Sequence, residues 1–344
     1  MDDMDRRYKL LICHHYGPEE KVGGITSVMR NMYPYFSEAF NVDYMTLPQS
    51  WQHGSTRAAY FLYMWIHRKQ LKKYDFILSH VPESSYFVVK SGTPCAHVYH
   101  GDGHPMKGGS LLKKPFVAFY DHILNTINER CPLVYCVGTK RRSDNKKLYN
   151  PLIQDVMPVA IEHRKGFVFT GRLVPLKQVD RLIKIYAQLP ESIRKENPFY
   201  IVGDGYCRED LESLVVSLDL KEYVIFLGAR PNTEMMNIVS TKRILLMAST
   251  TEGFPTSIAE AFSVGVPVVS TAVGSVTTVV ENDVNGFYVL KDFNDKEYIC
   301  HIITILDNYE RFAKGALDSA KLFNAERVTK SVIEDINCLL KTKR

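Results

Sequence analysis

Glu252 and Glu260, eight residues apart, are the most specific chemical signal in this 344-residue chain. They lie in STTEGFPTSIAEAF, where a β-rich run at 244–247 gives way to a polar loop and then to an apolar helical pattern. Eight residues are about two helical turns, so both carboxylates can lie near one side of a helix entrance. Pro255 suits the first helical position. The amides of Gly253, Phe254 and the first helical turn are free to hold an anion. Carboxylates beside an anion site make sense as acceptors for hydroxyl groups, as on a sugar, and are poor phosphate ligands themselves. Two solvated glutamates are the alternative, and the apolar neighbours Ala259, Ala261 and Phe262 of Glu260 argue against it.

Three further loops carry candidate chemistry. In VFTGRLVPLKQ a strand delivers Gly171, Arg172 and then Lys177 to a helix start, which predicts a clamp for a diphosphate, with a solvated loop as the competing reading. In GPEEKVGGITSVMR the paired Gly23 and Gly24 let backbone N–H groups approach an anion, or form a plain strand–helix turn. In HVYHGDGHPMKGG, His100 at a strand end is placed to project into a ligand site. His97 alternates back toward the core, and His104 competes with His100 for the reaction centre.

The elements that must position these loops alternate along the whole chain. Short β-rich runs occur at 9–13, 42–45, 76–79, 96–99 and 133–137, then at 166–170, 199–202, 224–227, 244–247, 266–270 and 286–289. Amphipathic segments such as 178–188, 209–217 and 233–240 lie between them, and a last helix spans 325–340. Apolar strands alternating with helices predict parallel sheets covered on both faces. The expected architecture is α/β, two doubly wound Rossmann-like domains facing across a cleft, with ligands at the carboxyl ends of the strands. Residues 1–160 and 161–324 are expected to form the two domains, and the family resemblance set out below implies that the first binds the acceptor and the second the donor. By the same resemblance, residues 325–344 are expected to pack back on the first domain.

Composition narrows the classes. Hydrophobic residues are 45% and charged residues 24%, which excludes global disorder. No apolar run reaches the ~18 residues of a bilayer span, and the N-terminus shows no cleavable signal pattern. The seven cysteines include no C-x-x-C pair, so thiols in a reducing cytoplasm are expected. The net charge of +5 is uneven: residues 1–150 carry 20 Lys+Arg against 13 Asp+Glu, a net of +7, and the remainder nets −2. The cations gather at Arg68, Lys69, Lys72 and Lys73, at Lys107, Lys113 and Lys114, and at Lys140, Arg141, Arg142, Lys146 and Lys147. Solvated faces are one reading. Peripheral contact with an anionic membrane is the other, because AAYFLYMWI runs into HRKQLKK and LLKKPF follows the Lys107 group. The Tyr60–Ile66 stretch is expected in a core helix. No nucleic-acid-binding motif accompanies the charge.

Taken together, GRLVPLK, IVGDG, FLGARPNTEMMNIVSTKRILLMAS, EGFPTSIAEA, GVPVV and ENDVNGFYV resemble a family-4 retaining glycosyltransferase of the GT-B fold, most strongly over 166–289. VGGITSV and YHG extend the resemblance into the first half. It implies that Arg172 and Lys177 bind the donor diphosphate, with Gly171 beside them, and stabilise the leaving nucleotide. Glu252 would contact the donor sugar and Glu260 the ribose. The segment Gly253, Phe254, Pro255 and Thr256 would hold sugar and phosphates. Gly24 would approach the phosphates, Arg230 would line the base pocket and His100 would contact the transferred sugar. The implied partners are a nucleotide-diphosphate sugar and a glycan or lipid-linked saccharide acceptor, in surface polysaccharide synthesis such as O-antigen or capsule. No metal and no cofactor are expected, since the only D-x-D is Asp3-Met4-Asp5 at the N-terminus. A sugar-nucleotide epimerase and a catalytically silent binding partner of another transferase are the competing functions.

Overall fold

The inner strands form because runs of Val, Ile, Leu and Phe are buried on both faces, the pattern of a parallel sheet sandwiched between helices. A computed structural model describes residues 7–20, 23–52, 56–101, 114–137 and 143–342. Its contacts divide the chain into two units, Met1–Pro151 with Ala325–Arg344, and Leu152–Asn324. The division follows Pro151, ahead of the expected seam at 160.

The first unit holds β1 (Lys9–Cys13), α1 (Gly23–Ala39), β2 (Asn41–Met45), α2 (Thr56–His67), β3 (Phe76–Ser79), α3 (Pro82–Ser91), β4 (Cys95–His100), α4 (Lys114–Arg130), β5 (Leu133–Val137) and β6 (Lys146–Leu148). The strands lie in the order β2-β1-β3-β4-β5-β6, all parallel. The chain leaves β1 for β2 on one side and returns to β3 on the other, so the sheet's switch point lies between β1 and β3. The last helix belongs to this unit: it buries Ala325, Val328, Val332, Ile336 and Leu340 at helical spacing, and its Asp335 accepts a 2.8 Å hydrogen bond from the Tyr135 hydroxyl.

The second unit holds β7 (Phe167–Thr170), α5 (Val179–Ala187), α6 (Glu191–Glu196), β8 (Phe199–Val202), α7 (Arg208–Ser217), β9 (Val224–Gly228), α8 (Asn232–Ser240), β10 (Ile244–Leu246), α9 (Thr256–Ser263), β11 (Val268–Thr271), β12 (Gly286–Val289), α10 (Asp295–Asp307) and α11 (Tyr309–Ala320); α12 (Ala325–Thr342) is the helix returned to the first unit. Its sheet runs β12-β11-β10-β7-β8-β9, again all parallel, with the switch point between β7 and β10. Phe167, Phe169, Leu182, Tyr186, Phe199, Ile201 and Tyr298 are fully buried in its core.

Two local expectations are corrected. The Tyr60–Ile66 stretch is not simply core: Tyr60 and Met64 are buried, whereas Leu62, Trp65 and Ile66 face outward. Pro255 precedes the first helical residue of α9 instead of occupying it, because its ψ of 95° is still extended.

Candidate functional site

The loops after β7 and β10 meet at the switch point of the second sheet. Gly171 leaves β7 with φ +148°, a conformation that favours glycine. The backbone behind it is held tightly. Gly171 N–H donates to Val202 (3.0 Å) and Leu173 N–H to Asp204 (2.9 Å), and a Cβ on Gly203 would stand 1.8 Å from the Gly171 carbonyl oxygen. The chain then makes a short 3₁₀ turn over Pro175–Lys177, and Gln178 in the left-handed region (φ 47°) starts α5. This geometry leaves the Arg172 side chain exposed and brings Lys177 across to the β10 loop.

There the Lys177 ammonium donates to Oε1 of Glu252, and both side chains are largely shielded from solvent, at 21% and 11% exposure. The Glu252 loop is held from two directions. Thr250 N–H donates to Leu176 (2.8 Å) from the β7 side. On the β11 side the Ser275 N–H and hydroxyl both donate to the Gly253 carbonyl (3.1 and 3.0 Å), and the Thr271 hydroxyl donates to Ser249 (2.6 Å). Gly274 (φ +55°) packs so closely that an added Cβ would lie 2.2 Å from the Glu252 carbonyl oxygen. Gly253 is exposed, Phe254 packs edge-on against Phe323 at 5.7 Å, and Pro255 is buried. No side chain caps α9; the Ile258 N–H donates to the Pro255 carbonyl (3.1 Å), which leaves the Thr256 and Ser257 N–H groups of the first turn to an anion.

Glu260, inside α9, takes a different partner: Asn232 Nδ2 at the start of α8 donates to its Oε1 at 3.0 Å. Burial pushes its carboxyl above the usual range, and the Asn232 hydrogen bond opposes that push. The structure thus joins Glu252 to Lys177 and ties Glu260 to the loop after β9. Arg230 sits exposed in that loop, with Nε donating to Leu227 at 3.0 Å and Nη1 lying 3.6 Å from Glu234.

In the first unit a second cluster gathers at the carboxyl ends of β1, β3 and β4. His100 Nε2 lies 2.8 Å from His80 Nδ1 with the rings stacked. Burial first, then His14 and His97 nearby, lower the His100 pKa to about 3, so the ring is neutral near pH 7. His97 is fully buried and structural, its Nδ1 2.6 Å from the Ser85 hydroxyl. Gly24 lies in the first turn of α1 with open space beside it. His104, Lys107, Lys113, Lys140, Arg141, Arg142, Asp3 and Asp5 lie outside the described residues.

The same cluster contains a carboxylate that sequence reasoning missed. Glu83, in the first turn of α3, is fully buried and accepts from Arg57 Nη1 (2.9 Å) and the Tyr120 hydroxyl (2.7 Å), with His15 Nε2 at 3.6 Å. Burial alone would raise its pKa, but His15, Arg57 and Tyr120 outweigh burial and hold it at about 2. A signal was available: SHVPES repeats the strand–proline–helix grammar of the Glu252 loop. Among the described residues no group of three or more His, Cys, Asp or Glu side chains is arranged to hold a metal.

With this geometry in hand, comparisons with known proteins are specific. Residues 158–316 match the family described as glycosyl transferases group 1. The chain is 27% identical over 168 residues to an uncharacterized glycosyltransferase of Methanocaldococcus jannaschii, covering 44% of this chain and 42% of the relative. It is 29% identical over 150 residues to UDP-Gal:alpha-D-GlcNAc-diphosphoundecaprenol alpha-1,3-galactosyltransferase of Escherichia coli, covering 42% and 38%. The matched segments thus span less than half the length of these two curated relatives. The crystal structure of Anabaena HepE in complex with UDP superimposes with a TM-score of 0.71 at 18% identity, over 96% of this chain and all of that one. The fold is that of GT-B glycosyltransferases.

Proposed function

From a chain whose residues 158–316 belong to the glycosyl transferases group 1 family, we propose a retaining hexosyltransferase. It moves a sugar from a nucleotide-diphosphate donor to a glycan or lipid-linked saccharide acceptor in the cytoplasm, in the synthesis of a surface polysaccharide. The observation that supports this best is the meeting of Lys177 with Glu252 at the switch point of the second sheet, beside the exposed Arg172 and the uncapped start of α9. That set offers cations for a diphosphate, a carboxylate for sugar hydroxyls and free amides for phosphate oxygens, all on loops fixed by backbone hydrogen bonds. The UDP of the Anabaena complex and the UDP-Gal of the Escherichia coli relative's name make a uridine diphosphate sugar the first donor to try.

In this reading, breaking the bond between the anomeric carbon and the β-phosphate oxygen leaves its electron pair on the phosphate. Arg172 and Lys177 stabilise the charge that develops there. The acceptor hydroxyl attacks from the face the phosphate leaves and gives its proton to that phosphate, so configuration is retained and no enzyme nucleophile is required. Glu252 accepts from sugar hydroxyls and Glu260 from the ribose. Gly171, Gly253, Phe254, Pro255 and Thr256 shape the donor pocket, and Arg230 lies toward the base. Gly24 and neutral His100, in the first unit, keep the roles that the family resemblance implies, toward phosphate and toward the transferred sugar. The chemistry uses no metal.

The test is release of nucleoside diphosphate from UDP-, GDP- and ADP-sugars with simple saccharide acceptors. Turnover of one donor class, abolished by Glu252→Gln in a protein that still folds cooperatively, is expected. Tight nucleotide binding without turnover of any donor would instead identify a silent binding partner.

A further inference from the structure

We propose that the outward face of α2, with the basic turn that follows it, is a docking surface for an anionic lipid bilayer. Leu62, Trp65 and Ile66 lie at positions i, i+3 and i+4 of α2 and stay 49%, 51% and 48% exposed, while Tyr60 and Met64 on the opposite face are buried. A soluble helix places its large apolar residues on the core side. This one carries a second apolar stripe facing away from the core. The stripe continues onto α4: Phe119, 41% exposed, packs edge-on against Phe61 at 5.4 Å, and Phe116 is exposed one turn earlier.

Charge selects the occupant. The 3₁₀ turn Arg68–Lys73 follows α2 directly and exposes Arg68, Lys69, Lys72 and Lys73, while its Leu71 is buried as the anchor. Residues 56–74 contain no Asp or Glu, and none of these four cations is ion-paired to a carboxylate among the described residues. The Arg68 guanidinium stands 5.0 Å from the centre of the Trp65 ring, so charge and aromatic surface lie side by side. An indole flanked by aliphatic side chains and a row of unpaired cations matches a headgroup boundary, with apolar groups entering the acyl edge and ammonium groups meeting lipid phosphates. A protein partner of ordinary composition, or a second copy presenting the same cations, would leave that row unneutralised. Among the described residues no helix is long and apolar enough to cross a bilayer.

The test is cosedimentation of the full chain, without nucleotide, with phosphatidylglycerol–phosphatidylcholine vesicles and with phosphatidylcholine alone. The outcome is therefore independent of the donor site. The chain has two tryptophans, so Trp51→Phe leaves Trp65 as the sole reporter. Expected are binding to the anionic vesicles only, a blue shift of Trp65 emission on binding, and weakening with added salt. Lys69→Gln/Lys72→Gln/Lys73→Gln should weaken binding at least about tenfold, and so should Leu62→Ser/Ile66→Ser, which alters only exposed positions. The proposal is overturned by equal binding to neutral vesicles, by vesicle binding with unchanged Trp65 emission, or by variants that bind like the wild type. It is equally overturned by a wild-type dimer that binds no vesicles and that Leu62→Ser/Ile66→Ser dissociates.

Discussion

Lys177 and Glu252 stand 75 residues apart in the chain, and their side chains form an ion pair across the switch point of the second sheet. Each comes from a strand whose neighbour carries the other, so parallel pairing of β7 with β10 is what brings them together. The pair keeps a cation and a carboxylate satisfied before any ligand arrives. A diphosphate would then compete for the ammonium and release the carboxylate for sugar hydroxyls.

Replacing Glu252 by Gln should therefore separate fold from function. The pair is largely shielded from solvent, so its loss should lower stability by about 1–3 kcal/mol and leave the protein folded, whereas transfer should fall about 100-fold or more. Parallel thermal unfolding and turnover assays check this; near-normal turnover would remove the role given to Glu252.

Arg172→Ala and Lys177→Ala should each weaken free nucleoside diphosphate at least about tenfold, the worth of one charge-assisted hydrogen bond. Titration calorimetry reads this directly. Affinity unchanged in both variants would refute the clamp.

Gly274→Ala tests the backing of the site with no change to its side chains. The new Cβ would meet the Glu252 and Gly253 carbonyl oxygens at 2.2 and 2.5 Å, with φ at +55°. Lowered stability, by about 1–3 kcal/mol, should accompany weaker donor binding. A variant with wild-type values for both would show that this contact does not hold the loop.

Glu83 predicts an acid limb in stability. Its folded pKa of about 2 lies below the ordinary 4.5, so its contribution is complete above pH 4.5 and is lost as pH falls from there toward 2. Glu83→Gln should flatten that limb, and Glu83→Ala, which strands the Arg57 partner, should cost about 3 kcal/mol near pH 7. Unfolding midpoints recorded across the acid range decide it: identical slopes for wild type and Glu83→Gln would contradict the assignment.

The strand series was legible because parallel strands buried on both faces read as unbroken apolar runs, and 9–13, 76–79, 133–137, 199–202 and 286–289 coincide with observed strands. The edge strand β6 (KKL) was not, because a three-residue polar strand carries no such pattern. The Glu252 loop could be read from local spacing. What Glu252 touches could not, since Lys177 reaches it only through the order of strands. Glu83 escaped for the same reason: its partners Arg57 and Tyr120 lie 26 and 37 residues away on other helices. In α2, hydrophobicity alone could not tell the buried Tyr60 and Met64 from the exposed Leu62, Trp65 and Ile66.

The most direct test of a nucleotide-diphosphate site at the β7/β10 switch point is a thermal-shift titration with UDP, GDP and ADP, with and without magnesium, on the wild type and on Arg172→Ala/Lys177→Ala. One nucleotide should raise the wild-type midpoint without magnesium, and the double variant should lose that rise, measured from its own unliganded midpoint. No rise from any of the three, or an equal rise in the double variant, would contradict the site.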